Sequence, residues 1–261
     1  MILCLDVGNS HIFGGVFSSI QGNNPSIELR FRYDTKQPHT SDQIGVFFRS
    51  VLRENNIDIK NIEQIAIASV VPSIDYSLRA ACIKYFNVEP FILQAGVKTG
   101  LKIKTANPTE VGADLIAEAI AGVHQFPGKN IIIVDFGTAT TYLAVNKDQE
   151  FLGVTILPGF KTAMEALKAN AAALPEVEIM KPKTMLGRNT VQCIQAGLYY
   201  SQLASLKELT TGITKQCFEN ETPVIIGAGG FSYLFEQEHI FTHHAPDIVL
   251  QGLYLALQKN S

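Results

Sequence analysis

Two stretches of the sequence share one pattern: MILCLDVGNSHIFGGVF over residues 1–17 and NIIIVDFGTATTYLAVN over residues 130–146. Each has an apolar run that ends in Asp-x-Gly, then small polar residues, then a second apolar run. The pattern predicts a β-hairpin with a carboxylate at the end of its first strand. Asp135 stands 129 residues after Asp6, about half of the chain, so the sequence predicts two similar lobes.

The composition is that of a folded protein. The chain has 261 residues, of which 46% are apolar and 17% are charged, against about 25% charged in typical soluble proteins. The high apolar content together with a net charge of only −3 excludes a disordered chain, and no Lys/Arg block supplies a basic footprint for nucleic acid. We expect no membrane-spanning helix, because no apolar run reaches about 18 residues. The first residues carry Asp6 and no basic region, so we expect no signal peptide.

Cysteine and histidine spacing gives little sign of a metal site. Cys4, Cys82, Cys193 and Cys217 are scattered without a Cys-x-x-Cys pair, which favours buried free thiols in a reducing cytoplasm. The group His239, His243 and His244 contains an i, i+4 pair that could bind a metal on a helix. Surface or packing roles are the favoured interpretation, because no third ligand lies nearby in the sequence.

Strand and helix patterns alternate along the chain, which predicts an α/β architecture. Glycine, proline and capping residues place the boundaries of the elements. Strands are predicted at about 1–5, 11–17, 27–33, 64–71, 90–93, 130–134, 140–146, 150–157 and 223–226, and a turn at 18–25. Helices are predicted at about 41–55, 73–86, 109–123, 161–171, 190–211 and 246–258, with another opening at the glycines of 227–230.

The first Asp-x-Gly turn, Asp6 to Ser10, lies at a strand end, where α/β proteins place their ligands. Gly8 would let the backbone turn tightly and approach a phosphate. Backbone amides beside Asn9 and Ser10 can form an anion nest, and Asp6 suits Mg²⁺, directly or through water. An ordinary hairpin turn is the alternative for this stretch taken alone.

Three further stretches carry possible chemistry. The second turn, from Asp135 to Thr141, has the same Asp-x-Gly pattern followed by threonine hydroxyl groups, and it could approach the other side of the same polyphosphate. The glycines of 227–230 would let a nucleotide base and ribose approach the backbone. Asp114 lies early in a predicted helix, where the helix dipole favours an acid; it could also serve as the base that deprotonates an attacking hydroxyl. Phosphoryl transfer needs little more than such a base, positioning and charge neutralisation.

The whole set of motifs resembles the type III pantothenate kinases, or Bvg accessory factor family, of the acetate and sugar kinase, Hsp70 and actin superfamily. The resemblance runs nearly from end to end. It rests on DVGNS (6–10), SVVP (69–72), NPTEVGAD (107–114), DFGTATT (135–141), ILPG (156–159), LGRNT (186–190), QAG (195–197) and GAGG (227–230).

The resemblance implies a fold and a reaction. The fold would be two ribonuclease H-like, actin-like domains with mixed sheets and a cleft between the lobes, divided here as 1–115 and 116–261. The reaction would be ATP-dependent phosphorylation of pantothenate to 4′-phosphopantothenate, the first step of coenzyme A synthesis. The reaction would use Mg²⁺ and a monovalent cation (K⁺ or NH₄⁺). The protein would be a cytoplasmic homodimer with the substrate pocket near the subunit interface.

The resemblance also implies site residues. Asp114 would be the base, Asp6 would lie near Mg²⁺, and Asp135 would hold the monovalent cation. The ATP contacts would be Asp6, Val7, Gly8, Asn9, Ser10, His11, Ile12, Phe13, Thr138, Gly229 and Gly230. The pantothenate contacts would be Thr105, Gly112, Ala113, Asp114, Leu115 and Thr190.

Four positions depart from the family pattern. Leu115 stands where the family has Arg, Thr105 where it has Tyr, Val154 where it has Gly, and Ala228 where it has Thr. Losing a charged hydrogen-bond partner typically costs about 1.5–3 kcal/mol. Two alternatives therefore stand beside the pantothenate kinase: a catalytically impaired paralogue that binds a nucleotide or a pantothenate-like ligand, and a superfamily kinase acting on another small alcohol.

Overall fold

The computed structural model describes residues 1–18, 26–35, 39–171 and 173–261. Most of the predicted turn at 18–25 lies outside the described residues. Within the described residues, no helix is long and apolar enough to cross a membrane. The chain divides into two compact units: unit 1 comprises Met1–Gly100, Asn107–Ala121 and Ile248–Ser261, and unit 2 comprises Leu101–Ala106 and Gly122–Asp247. The domain boundary at residue 115 stays a prediction.

The elements follow each other in the alternating order that the sequence predicts. The strands are β1 Ile2–Val7, β2 His11–Phe17, β3 Ile27–Asp34, β4 Gln64–Ser69, β5 Phe91–Ile92, β6 Lys102–Ile103, β7 Ile131–Phe136, β8 Ala139–Val145, β9 Glu150–Pro158, β10 Val224–Ala228 and β11 His243–His244. The α-helices are α1 Ser41–Glu54, α2 Pro72–Phe86, α3 Ala113–Gln125, α4 Phe160–Asn170, α5 Thr190–Cys217 and α6 Ile248–Asn260. Three 3₁₀ helices cover Ile59–Asn61, Pro108–Glu110 and Ser232–Glu238.

The two sheets repeat one topology. Unit 1 has the strand order β3-β2-β1-β4-β5, and unit 2 has β6-β9-β8-β7-β10-β11. In each, an antiparallel meander of three strands is joined by parallel strands on the far side of the first, β1 or β7. Both sheets are therefore mixed, and the duplication that the two Asp-x-Gly stretches predict is confirmed, with β6 as an additional edge strand.

Each sheet has an apolar core on one face. In unit 1, Leu3, Leu5 and Val7 of β1 pack with residues of α1 and α2. In unit 2, alternate residues of β7, among them Val134 and Phe136, pack with residues of α4 and α5. Because side chains alternate along a strand, the aspartate near the end of each first strand projects from the opposite face.

Two helix predictions need correction. The helix predicted from residue 109 begins at Ala113, because a 3₁₀ turn, Pro108–Glu110, and a non-helical Val111–Gly112 precede it. After the glycines of 227–230 the chain forms a 3₁₀ helix rather than an α-helix. The Ser232 N–H and Oγ both donate to the carbonyl of Gly229, at 3.3 and 3.0 Å, which sets the i to i+3 pattern of a 3₁₀ turn.

Candidate active site

The first Asp-x-Gly turn joins β1 to β2 in unit 1. The Gly8 N–H donates to the His11 carbonyl at 3.0 Å, and the Thr35 hydroxyl donates to the Gly8 carbonyl at 2.8 Å. Asp6 is half-buried at the strand end, while Asn9 is exposed to solvent. The turn is therefore closed by hydrogen bonds but open to a ligand.

Gly8 has no left-handed backbone angle, and a Cβ on it would meet only the His11 carbonyl, at 3.5 Å. The turn therefore does not require glycine at position 8, contrary to the expectation from the sequence. Close approach of a phosphate to its backbone stays a prediction.

Asp6 projects from the face of the first sheet that carries α6. Gly15 pairs directly with Cys4, two residues before Asp6, and a Cβ on Gly15 would touch Leu250 of α6. Helix α3 adjoins α6 on this side, because a Cβ on Gly252 of α6 would overlap the backbone of Ala117. The helix that begins with Asp114 thus lies on the Asp6 side of the sheet.

Asp114 occupies the first turn of α3 and is half-buried. Burial raises the pKa of its carboxyl, and hydrogen bonds from the N–H groups of Leu115 and of Asp114 itself lower it in part. The Leu115 N–H lies 2.8 Å from Oδ1. Gly112 leaves room for this conformation of the carboxylate, because a Cβ there would overlap the same oxygen and displace it. The result is a fixed carboxylate whose proton affinity exceeds that of an exposed one.

Leu115 and Ala113 flank this carboxylate. The Leu115 side chain is 9% exposed and belongs to the buried core, whereas Ala113 is half-buried. Leu115 interacts with Asp114 through its backbone N–H, which every residue type except proline would supply. Leu115 has no charged group that could replace the arginine that the resemblance leads us to expect at this position.

Asp135 ends β7 in unit 2 and is wedged against the glycine turn that follows β10. Gly229 adopts φ +78°, and a Cβ on it would overlap Asp135 Oδ1 and approach the Phe136 nitrogen at 2.6 Å. Glycine at 229 is therefore required by both conformation and space. Gly230 is exposed, with nothing within 4 Å of a Cβ position.

The second Asp-x-Gly turn is supported by the start of α4. The Gly159 N–H and the Thr162 hydroxyl both donate to the Thr138 carbonyl, at 3.1 and 2.7 Å. A Cβ on Gly159 would lie 2.5 Å from that carbonyl oxygen. Sequence reasoning missed the role of Thr162; the ILPG motif that ends at Gly159 was the available signal.

Four threonines of unit 2 are candidates for ligand binding. Thr141 pairs directly with Asp135, so their side chains share one face of the sheet, and Thr141 Oγ1 is buried with no hydrogen-bond partner in the described residues. Thr105 Oγ1 is also buried without such a partner. Thr190, the first residue of α5, and Thr138 are exposed. Thr141 is an additional candidate ligand.

The structure therefore gathers the predicted residues into two groups. Unit 1 holds the residues from Asp6 to Phe13 and those from Gly112 to Leu115. Unit 2 holds Asp135 and five other predicted positions. These five are Thr105, Thr138, Thr190, Gly229 and Gly230.

The histidine and cysteine predictions have separate outcomes. His239 ends a 3₁₀ helix and His243 and His244 lie in β11, so the helical i, i+4 arrangement is wrong; His243 packs edge-on against Phe126. No group of three metal-binding side chains occurs within the described ranges. All four cysteines are free; Cys4 and Cys82 are buried, but Cys193 on the outer side of α5 is exposed, contrary to prediction.

The chain matches known proteins over its full length. A family model described as type III pantothenate kinase matches residues 2–212. A type III pantothenate kinase of Legionella pneumophila is 52% identical over 261 residues, covering 100% of both chains. That of Elusimicrobium minutum is 45% identical over 260 residues, covering 100% of this chain and 99% of the relative.

The chain belongs to the type III pantothenate kinase family. This membership confirms the predicted family and, with it, the prediction of an ATP-dependent kinase. Members of this family phosphorylate pantothenate, which agrees with the reaction that the resemblance implies.

Solved structures support the fold of this type III pantothenate kinase family member. A protein of Sinorhizobium meliloti described as a 2-dehydro-3-deoxygalactonokinase aligns with a TM-score of 0.64 at 10% identity, covering 99% of this chain and 96% of that one. A Campylobacter jejuni protein described as a Baf family transcriptional activator aligns with a TM-score of 0.58 at 14% identity, covering 99% and 98%. The predicted class of duplicated α/β domains with mixed sheets is confirmed.

Proposed function

We propose that this chain transfers the γ-phosphoryl group of ATP to the hydroxyl of pantothenate, giving 4′-phosphopantothenate, and that Asp114 is the catalytic base. The observation that carries this assignment is the Asp114 carboxyl, held by the Leu115 N–H and with its pKa raised by burial. A base is most effective when its pKa lies near the working pH. Asp114 takes the proton as the substrate oxygen attacks phosphorus, and ADP leaves.

The first Asp-x-Gly turn is the proposed phosphate site, formed by residues 6–13. Asp6 is half-buried at the end of β1, and the exposed Asn9 leaves this side of the turn accessible. Mg²⁺ in kinases is held by one or two carboxylates together with substrate phosphates, which fits a single aspartate here. When bound, the ion neutralises charge on the phosphates; Asp6 orients it, directly or through water.

Asp135 is the proposed holder of a monovalent cation. Its carboxylate is fixed against Gly229, and the buried Thr141 Oγ1 stands across the β7–β8 ladder on the same face. A carboxylate and a hydroxyl oxygen are hard ligands of the kind that such a cation takes. The bound cation supplies positive charge; Asp135 and Thr141 hold it.

We place the protein in the cytoplasm as a homodimer. Unit 2 exposes large apolar side chains that a second copy would cover: Ile156 is 62%, Met185 67% and Leu186 84% exposed. Met185 and Leu186 are neighbours in the chain, and contiguous exposed apolar surface marks sites of protein–protein interaction. The free thiols of Cys4 and Cys82 agree with a reducing compartment.

The deciding experiment is an assay of the purified protein with ATP, Mg²⁺, K⁺ and pantothenate, scored for 4′-phosphopantothenate. We expect product from the wild type and a loss of about 10²–10⁴-fold in kcat for Asp114→Asn. Asp58→Asn is the matched control: Asp58 accepts the Lys60 N–H at a 3₁₀ helix start, a bond that asparagine keeps. Circular dichroism checks that each variant is folded.

Leu115 and Thr105 motivate one alternative, a catalytically impaired paralogue, and a superfamily kinase with another small alcohol as acceptor is the other. A folded wild type that binds ATP but forms no phosphopantothenate at high substrate would contradict the proposal and indicate an impaired paralogue. Phosphorylation of another small alcohol in the same assay would indicate the third possibility. An Asp114→Asn variant with wild-type turnover would remove Asp114 as the base.

A further inference from the structure

The SVVP motif, residues 69–72, forms the turn from β4 into α2. Ser69 is the last residue of β4 and pairs in parallel with Val7 of β1, one residue beyond Asp6. The Val70 N–H donates to the Val7 carbonyl at 3.0 Å. The turn is therefore tied to the strand end that carries the proposed phosphate site.

The hydroxyl of Ser69 makes two hydrogen bonds within this turn. It donates to the Asp75 carboxylate at 2.5 Å and accepts the Val71 N–H at 3.2 Å. Val71 is the N-cap residue of α2 and has no side chain that could cap the helix. Ser69 and Asp75, the Ser69–Asp75 pair, thus fix the backbone of Val70 and Val71 from both sides.

Val70 lies beside the loop that precedes the proposed base, Asp114. Its Cγ1 lies 3.5 Å from the position that a Cβ on Gly112 would take. A Cβ at the same position would also overlap Oδ1 of Asp114. Val70 Cγ1 and the Asp114 carboxylate therefore lie beside the same side of Gly112, and a shift of the Val70 turn would change the space that the carboxylate occupies.

The pair itself adds little to stability. Asp75 is exposed, and exposed polar pairs of this kind contribute about 0–1 kcal/mol because water competes for both partners. A short hydrogen bond to a charged oxygen does, however, define geometry well. The effect of the pair should accordingly lie in the placement of Val70 rather than in the free energy of unfolding.

We propose that Ser69 and Asp75 are positioning residues, which hold Gly112 and the Asp114 carboxylate in their catalytic arrangement through Val70. The proposal rests on the proposed function, because Asp114 must be the base. It assigns the SVVP motif, which contains none of the predicted ligand residues, a role in turnover.

The experiment compares Ser69→Ala, Asp75→Ala, the double variant and Ser69→Thr in steady-state kinetics with ATP and pantothenate. Each single variant should lose about tenfold in kcat, as small misplacements of catalytic groups do, with KM for ATP within about twofold of wild type. The double variant should lose no more than the worse single one, because both changes break the same hydrogen bond. Ser69→Thr, which keeps the hydroxyl, should restore turnover.

Thr40→Ala is the matched control. Thr40 caps α1 in the same unit, accepting the Gln43 N–H at 3.3 Å, and touches none of the proposed site residues. Its loss should cost about 1 kcal/mol of stability and leave kcat unchanged. Thermal melts of all variants separate loss of fold from loss of turnover.

The outcomes are distinguishable. A folded wild type without activity overturns the proposed function and this inference together. An active wild type whose kcat is unaffected by Ser69→Ala and Asp75→Ala, or additive losses without rescue by threonine, overturns the inference alone. If Ser69→Ala does not fold, Asp75→Ala decides, because it removes the acceptor of the Ser69 hydroxyl and keeps the bond from the Val71 N–H to Ser69.

Discussion

The two Asp-x-Gly turns differ in how much of the surrounding chain supports them. The first turn has four residues, 8–11, between Val7 and Ile12, the last paired residues of β1 and β2. The second turn has three residues, 137–139, between Phe136 of β7 and Thr140 of β8. The first turn is thus one residue longer, and its Asn9 and His11 are exposed to solvent.

The space around the two turns differs in the neighbouring segments rather than at the turn glycines. A Cβ on Gly8 would meet the His11 carbonyl at 3.5 Å, and a Cβ on the corresponding Gly137 would meet Asp135 Oδ1, also at 3.5 Å. A Cβ on Gly159 or Gly229, which support the second turn and Asp135, would overlap backbone or carboxylate atoms. The two duplicated hairpins therefore have similar turns, but the segments that pack against the second one fix its carboxylate.

Gly229→Ala should have the largest effect on stability. The change introduces strain at φ +78° and overlaps Asp135, so we expect a loss of about 2–4 kcal/mol in the free energy of unfolding. Gly8→Ala and Gly230→Ala, which have room for a Cβ, should cost less than about 1 kcal/mol. Urea denaturation measures all three. Equal losses would show that the two turns are equally packed.

Asp114 should make both kcat/KM and the thermal stability of the protein depend on pH. Below the raised pKa the carboxyl is protonated and accepts no proton, so kcat/KM should fall about tenfold per pH unit there, at a higher pH than for an ordinary carboxyl near about 4. Burial disfavours the charged form, so Asp114 lowers stability as the pH rises through that pKa, and Asp114→Asn should melt higher than wild type at pH 8. An acidic limb at an ordinary carboxyl pKa would contradict the assignment.

Thr141→Val should remove a response to K⁺ from unit 2. If Thr141 Oγ1 and Asp135 hold the cation, added K⁺ raises the melting temperature of the wild type but not of this variant. Thr155→Val is the control, because Thr155 pairs with Tyr142 and so faces the other side of the sheet. A full K⁺ response in Thr141→Val would remove this residue from the proposed site.

Thr35→Val and Thr162→Val should have the smallest effects. Each removes one hydrogen bond to a turn carbonyl, Gly8 at 2.8 Å or Thr138 at 2.7 Å, and should cost about 1 kcal/mol. Because the first turn has less packing around it, Thr35→Val should raise KM for ATP more than Thr162→Val does. The reverse order in KM would contradict the comparison of the two turns.

Much of the fold could be predicted because its signals are local. Apolar runs ending in Asp-x-Gly gave both hairpins, and the Thr40 cap gave the start of α1, which a capping box with Gln43 confirms. The start of α3 was placed too early, because the sequence pattern does not reveal the non-helical Val111–Gly112. Strands β6 and β11 were missed, because two residues carry no periodic pattern and pair only once the rest of the sheet exists.

The residues of the candidate site likewise include some that the local sequence predicts and others that it does not. Asp6, Asp114 and Asp135 stand out in the sequence because their motifs have characteristic order and spacing. Their partners do not: Thr162 supports a carbonyl 24 residues away, and Val70 contacts Gly112, far along the chain. Such contacts are chosen by the packing of helices on sheets, which spacing along the chain does not record.

By itself the sequence determined the duplication, the family and the three aspartates, because each follows from residue types at fixed local spacing. Only the tertiary structure decided that Gly112 makes room for the Asp114 carboxylate, that Gly229 makes room for Asp135, and that Leu115 is buried in the core. These properties depend on which atoms lie within a few ångströms of one another, and residues remote in sequence supply most of those atoms.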